Sequence, residues 1–292
     1  MPDESRIRQT LARYRLAPSK DRGQNFLIHD HVTARIVEKS GAQPEDTIVE
    51  LGVGLGSLTL PLAAKVQRVI GLEIDRGIVD YHHEAGDLPA NVTLRLQDLL
   101  TADYPALAAE CDGRLKIVAN LPYSITNPLL FRLVAQREIM DWATLMVQKE
   151  VGQRLTARPG TKEYGILTVL FGACASIEKF LDVGPGNFYP RPKVDSVVLR
   201  IVFAPPESFA NAPSFDFALF QRLVETAFQQ RRKTLRNSLS AMEQHGYNRE
   251  TLDRALAAAG IAPNLRAENL TAHDFARLAA CLTGPAAHRH ES

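Results

Sequence analysis

Thr47-Ile48-Val49-Glu50-Leu51-Gly52-Val53-Gly54-Leu55-Gly56 is an apolar run that carries a buried-strand pattern and breaks into a glycine-rich turn. A short continuous apolar run bounded by turn residues reads as a strand buried on both faces. Glycines allow a tight strand-to-helix turn and close approach of the backbone to a ligand. The spacing is G-x-G-x-G rather than the dinucleotide pattern G-x-G-x-x-G. An early third glycine favours a nucleoside lying across the turn over a pyrophosphate at a helix N-terminus. For the glycines alone, a plain α/β turn is the other reading.

Working outward from this turn, the same alternation continues. A helix is expected over 58–64, a strand over 68–73, a helix opening at 75–83 and a strand over 92–96. Strands over 115–120 and 143–147 flank a helix over 127–135. Upstream, Ile7, Leu11 and Tyr14 fall at helical spacing over 6–15, 17–27 is irregular, and a helix over 32–40 stops at Gly41 and Pro44. Strands alternating with helices predict an α/β fold with a parallel sheet covered on both faces. Ligands of such sheets bind beyond the C-terminal strand ends. Glu50, Glu73, Asp98 and Asn120 all stand at such ends, which points to one shared site.

Further on, 185–192 is a Pro/Gly-rich loop, 194–203 returns as strand, and 205–213 reads as a linker. Helical patterns follow over 217–229, 234–245, 251–259 and 272–282. The expected domains are an α/β unit over 1–205 with a basic N-terminal extension, a small all-α unit over 206–284, and a disordered tail over 285–292.

Bulk composition is that of a soluble globular protein, with 45% hydrophobic and 23% charged residues among 292 and a net charge of +1. The charge is unevenly spread. Arg6, Arg8, Arg13, Arg15, Lys20 and Arg22 crowd one end, and Arg231, Arg232, Lys233 and Arg236 a late segment. Such clusters can hold a phosphate backbone in a near-neutral chain. Cys111, Cys174 and Cys281 show neither disulfide nor metal-ligand spacing and are expected as buried free thiols. No signal-peptide core opens the chain and no apolar run approaches the ~20 residues of a membrane span, so a cytoplasmic protein is expected.

Glu73 follows the turn by about 20 residues, the distance at which a carboxylate can accept from ribose hydroxyls. Asp98 can accept from a cofactor's adenine amine; alone it also reads as a cap or Asx turn. Asn120-Leu121-Pro122-Tyr123 is the sharpest signal. The exocyclic amine of adenine is a poor nucleophile because its lone pair is delocalised into the ring. An asparagine oxygen and a backbone carbonyl can accept its two hydrogens and turn that lone pair outward. Proline leaves the preceding carbonyl free, and Tyr123 can stack on the base. Catalysis is then positioning and electrostatics. The target must be flipped out or unpaired, and Phe188 is the candidate second aromatic wall, with packing into the core as its alternative. His82, His83, His29 and His31 are expected as surface imidazoles, Trp142 as core, and Lys149-Glu150 as a solvated pair.

With these residues in place, the chain resembles the KsgA/RsmA family of small-subunit ribosomal RNA adenine dimethyltransferases nearly end to end. Gly23-Gln24-Asn25-Phe26-Leu27 resembles its cofactor-lid motif, 50–59 its glycine motif and 120–126 its catalytic motif. The segments 145–151, 188–196 (with Pro192-Lys193-Val194-Asp195-Ser196) and 231–239 resemble further signatures. The resemblance implies a Rossmann-like class I S-adenosylmethionine-dependent methyltransferase domain followed by a small C-terminal all-α domain. It implies transfer of two methyls to N6 of each of two adjacent adenosines in the 3′-terminal hairpin loop of 16S rRNA. The substrate would be the 30S particle or its precursor, and the enzyme, a monomer, would also act in late assembly. Cofactor contacts are implied for Asn25, Leu27, Glu50, Gly52, Gly54, Glu73, Ile74, Asp98, Leu99 and Asn120. Asn120, Leu121, Pro122, Tyr123 and Phe188 would hold the base, and Arg22, Lys193, Arg231, Arg232, Lys233 and Arg236 the RNA. Val53 stands where proline is usual, Gln97 where glycine is, and Ser124 where asparagine is common. The alternatives are a 23S rRNA methyltransferase of the macrolide-resistance type and a non-catalytic 30S assembly factor.

Overall fold

The computed structural model describes residues 3–18, 23–204, 209 and 212–283. Lys20, Arg22, the expected tail and most of the expected linker lie outside them. In chain order the first part runs α1 (Asp3–Arg13), β1 (Phe26–Leu27), α2 (Asp30–Lys39), β2 (Thr47–Leu51), α3 (Thr59–Ala63), β3 (Arg68–Glu73) and α4 (Arg76–Ala85). Then come β4 (Val92–Leu96), α5 (Tyr104–Ala109), β5 (Leu115–Asn120), α6 (Thr126–Ala135), β6 (Met140–Gln148) and α7 (Lys149–Leu155). The rest is α8 (Ile166–Cys174), β7 (Ser176–Val183), β8 (Phe188–Tyr189), β9 (Ser196–Val202), α9 (Phe217–Gln229), α10 (Leu235–Ser238), α11 (Arg249–Ala258) and α12 (Ala272–Thr283).

Seven strands form one sheet in the order β4-β3-β2-β5-β6-β9-β7. From β4 to β6 they are parallel, with Val49 beside Ile70 on one side and Ile117 on the other. β9 runs antiparallel to β6, so the sheet is mixed rather than wholly parallel. Strand order reverses at β2, because β3 and β4 lie to one side and β5 and β6 to the other. That reversal opens a crevice beyond the β2 carboxyl end, where the glycine turn stands. Caps fix where helices start: Asp75 accepts from the Gly77 N–H at α4, and Asp216 from the Ala218 N–H at α9.

β1 pairs with β8 outside the main sheet, setting Leu27 opposite Phe188. α1 lays Ile7 and Leu11 against Phe26, Ile28 and Ile78 and leaves Arg6, Arg8 and Arg13 exposed.

Two compact units result: Met1–Gly152 with Ile177–Phe203, and Gln153–Ser176 with Ala204–Ser292. The sequence reading put residues 153–176 in the first unit. Their helix α8, ILTVLFGAC, is apolar around most of its circumference. Such a helix must be enclosed by others, and α8 packs on α9 and α12 of the helical unit. The expected helix over 234–245 is α10 followed by a 3-10 stretch. Helix α8 and strand β7 were not anticipated. Cys111 and Cys174 are buried, but Cys281 is exposed. No helix among the described residues is long and apolar enough to cross a membrane.

Candidate active site

The carboxyl ends of β2, β3 and β5, with the loop after β4, surround a cavity of about 310 Å³. Asn25, Leu27, Glu50, Gly52, Gly54, Glu73, Ile74, Asp98, Leu99 and Asn120 all line it, and so do Leu121, Pro122 and Tyr123. Phe26 and Leu55, which lie inside quoted motifs without an assigned role, and Ile78, which was not named, add apolar wall. Apolar residues look the same in a core and in a pocket, so their type alone did not assign them to the cavity.

The glycine turn and the carboxylate after β3 hold each other. The Gly54 N–H donates to Glu73 Oε2 at 3.0 Å, and the Asp75 N–H donates to Glu73 Oε1 at 2.9 Å. Burial pushes the Glu73 carboxyl above its ordinary range, and these N–H donors pull it back. Gly54 has φ +55°, a conformation that favours glycine, and a Cβ there would sit 3.2 Å from the Phe26 ring, which would have to shift slightly. Val53, in the usual proline position, is buried against Gly71, where a Cβ would meet its Cγ2 at 2.5 Å.

Glu50 is 1% exposed, and neither carboxylate oxygen has a hydrogen-bond partner. Burial above all pushes its carboxyl up to about 8; the nearby Thr59 hydroxyl opposes the rise and Glu73 adds to it. That hydroxyl lies close without completing a hydrogen bond of good geometry. A buried carboxyl without a partner is costly, and this one forms part of the cavity wall. A cationic ligand would relieve it. Asp98 Oδ1 accepts from the Leu100 N–H at 2.8 Å, an Asx turn within the cavity lining.

His82 is not a surface imidazole. It is 2% exposed, with Nε2 2.8 Å from the Gly54 carbonyl and Nδ1 2.7 Å from Asp87 Oδ1. The helical period of α4 turns it inward, while His83 stays exposed.

On the opposite side, Asn120 Nδ2 donates to the Asn25 carbonyl at 3.0 Å. A carbonyl only accepts, so the amide nitrogen must face it and Oδ1 is left turned away from that bond. The Leu121 carbonyl precedes Pro122 and lies past the β5 ladder. The Tyr123 hydroxyl and Ser196 Oγ are 2.8 Å apart. Ser196 begins β9 and is fully buried, a support to which the sequence reading gave no role although it closes the Pro192–Ser196 signature.

Phe188 departs from the expected arrangement. It is 3% exposed, packs with Leu27, Val32 and Ile36, and does not line the cavity. Its pairing across β1 and β8 turns the ring into the core, the alternative that its sequence left open. Two of the basic residues are also engaged. Arg231 donates to the Lys162 and Tyr164 carbonyls, both at 3.1 Å, and to Glu268, while Arg236 forms a two-bond pair with Asp253. Lys193, Arg232 and Lys233 are exposed. Lys149 pairs with Asp195.

A glycine turn at the switch point and a carboxylate after the next strand are shared with dinucleotide-binding folds; the G-x-G-x-G spacing, the antiparallel β9 between β6 and β7, and Asn120-Leu121-Pro122-Tyr123 after β5 make this the arrangement of a class I methyltransferase. The model of the ribosomal RNA adenine dimethylase family matches residues 17–283, and the chain belongs to that family. It is 46% identical over 285 residues to the ribosomal RNA small subunit methyltransferase A of Desulfotalea psychrophila, covering 95% of this chain and 96% of that one. The protein of the same name from Magnetococcus marinus is 42% identical over 280 residues, covering 96% and 97%. Among solved structures, a dimethyladenosine transferase from Plasmodium falciparum superposes with TM-score 0.72 at 24% identity, covering 87% of this chain and 95% of that one. The 23S rRNA methyltransferase ErmE superposes with TM-score 0.61 at 25% identity, covering 88% and 99%.

Proposed function

We propose that this protein dimethylates N6 of two adjacent adenosines in the 3′-terminal hairpin loop of 16S rRNA, using S-adenosylmethionine, within the 30S subunit or its precursor. The observation that carries the reading is the Asn120 carboxamide, whose nitrogen is committed to the Asn25 carbonyl. Its oxygen is thereby fixed as an acceptor for an amine. The Leu121 carbonyl is the second acceptor, and the Tyr123 ring, steadied by Ser196, is the stacking surface for the base. Two acceptors on one amine draw its hydrogens aside and expose the lone pair. No general base is required, because the acidified proton leaves to solvent after transfer.

S-adenosylmethionine fits the opposite wall on the chemistry of its donors. Glu73 would accept from the ribose hydroxyls and Asp98 from the adenine amine, and Glu50 supplies an unpartnered buried carboxyl to a cationic ligand. The bound cofactor supplies an activated methyl on a sulfonium. Phe26, Ile78 and Leu99 exclude water from this wall.

Lys193, Arg232 and Lys233, with the exposed arginines of α1, are the proposed contacts to rRNA backbone, and Arg22 joins them by resemblance. Such contacts position without specifying sequence. Arg231 and Arg236 brace the helical unit, which we take as the rRNA-binding unit of a cytoplasmic monomer acting late in subunit biogenesis.

Tritiated methyl transfer to 30S subunits from an unmethylated strain tests the reading, alongside 50S subunits and naked 16S rRNA. Two methyls on each of two adenosines of the 30S particle is the expected result. Label in 23S rRNA would move the protein to the macrolide-resistance type. No label with intact 30S binding would leave an assembly factor.

A further inference from the structure

Gly54 is fixed from both ends of its peptide unit. Its N–H goes to Glu73, and its carbonyl faces His82 Nε2 at 2.8 Å. Since a carbonyl only accepts, Nε2 carries a proton. The other ring nitrogen faces Asp87 Oδ1 at 2.7 Å, and the Tyr81 hydroxyl donates to Asp87 Oδ2 at 2.7 Å. Both ring nitrogens therefore face oxygen atoms, and the ring is held at both ends. Tyr81 in turn meets the Tyr14 ring edge-on at 4.7 Å, just past the end of α1. A continuous chain thus runs from the N-terminal helix through Tyr14, Tyr81, Asp87 and His82 to the carbonyl of the cofactor turn.

We propose that His82 is a positioning residue: clamped by Asp87, it holds the Gly52–Gly56 backbone in the shape that receives the methyl donor. The proposal rests on reading this cavity as the S-adenosylmethionine site. The side-chain fully buries its ring within 3 Å of a backbone atom of the turn, yet lines no part of the cavity itself. It therefore acts through Gly54 and not by touching the ligand. His82 should set cofactor affinity and leave the chemical step alone, because the base-side acceptors belong to β5 and the segment after it.

The test is calorimetric titration of the full chain with S-adenosylmethionine, with kcat at saturating cofactor and the melting temperature measured in parallel. Wild-type binding is the control that separates the two readings: no binding by the wild type overturns the cofactor site itself. With wild-type binding in hand, His82→Leu should weaken binding about tenfold, the scale of one buried hydrogen bond. His82→Gln, whose side-chain N–H can still reach the Gly54 carbonyl, should recover to within about threefold of wild type. Both should keep kcat within about twofold. Equal affinity of His82→Leu and wild type overturns the proposal, and so does His82→Gln binding as weakly as His82→Leu. Should His82→Leu not fold, proton spectra of histidine-labelled protein decide. A slowly exchanging ring Nε2–H signal, absent in His82→Gln and moving on cofactor addition, supports the clamp; no such signal in the wild type, or one that does not move, overturns it.

Discussion

The two sides of the cavity are built differently. On the side proposed for the methyl donor, Gly54 is held at its N–H by Glu73 and at its carbonyl by His82, and Glu73 is itself held at both oxygens. On the side proposed for the target base, the Asn120 carboxamide is held by one bond to Asn25, and the Tyr123 ring by one hydroxyl contact to Ser196. The donor side is preorganised against displacement, which lowers the ordering cost of binding a ligand there. The base side keeps its acceptors open, since a flipped adenosine must supply the missing partners. A tightly fixed wall suits a small diffusible ligand, and an open one suits a nucleotide that arrives attached to a large RNA.

The sharpest break in this contrast is Phe188, which belongs to the core here. Phe188→Ala should cost about 3–5 kcal/mol of stability as a large-to-small core change, read by denaturant unfolding. Phe188→Leu should retain most of the activity if the ring only packs; a collapse of kcat in a stably folded Phe188→Leu would return Phe188 to the base side. Next in size, Asn120→Ala should lower kcat by roughly 10²–10³, the scale of a lost oxyanion-type contact. Calorimetric cofactor affinity should change far less, and an equal loss in both would erase the distinction between the sides.

Glu50 tests the donor side through pH. Its carboxyl is raised to about 8 in the folded protein, so the neutral form is the one that folding favours. The stability this contributes is fully present below the ordinary carboxylate range and is lost as pH rises through about 8. The melting temperature of the cofactor-free protein should therefore fall between pH 5 and 8 more steeply in the wild type than in Glu50→Gln, by the equivalent of a few kcal/mol at most. Affinity for the cationic cofactor should rise over the same window in the wild type only. Parallel curves for the two proteins would remove Glu50 from the account. The smallest effect is that of Tyr123→Phe, which keeps the ring and loses the contact to Ser196. About 1 kcal/mol is at stake, so kcat/KM should drop about fivefold with cofactor binding unchanged, and Ser196→Ala should match it.

Much of this was legible in one dimension. β2, β3, β4 and β5 begin and end where their apolar runs do. Glycine spacing and the carboxylates at strand ends picked out residues that line one cavity. Where prediction failed, the deciding partner was remote. Phe188 was read as a wall because its loop is rich in proline and glycine; the β1 pairing that turns it inward involves residues far upstream. Arg231 and Arg236 looked like free cations, and Glu268 and Asp253 occupy them. His82 looked solvated because nothing near it in sequence announces Gly54 as its partner.

The sequence by itself determined the parallel strands and the glycine turn at the switch point and supplied the candidate acceptors, since local apolar periodicity and residue-specific backbone freedom act over a few residues. Only the tertiary structure decided which way those acceptors face. The bond from Asn120 to Asn25 joins residues 95 apart, and that from Tyr123 to Ser196 residues 73 apart. A hydrogen bond is set by distances within about 3 Å in space, and no pattern along the chain encodes which distant groups will meet there.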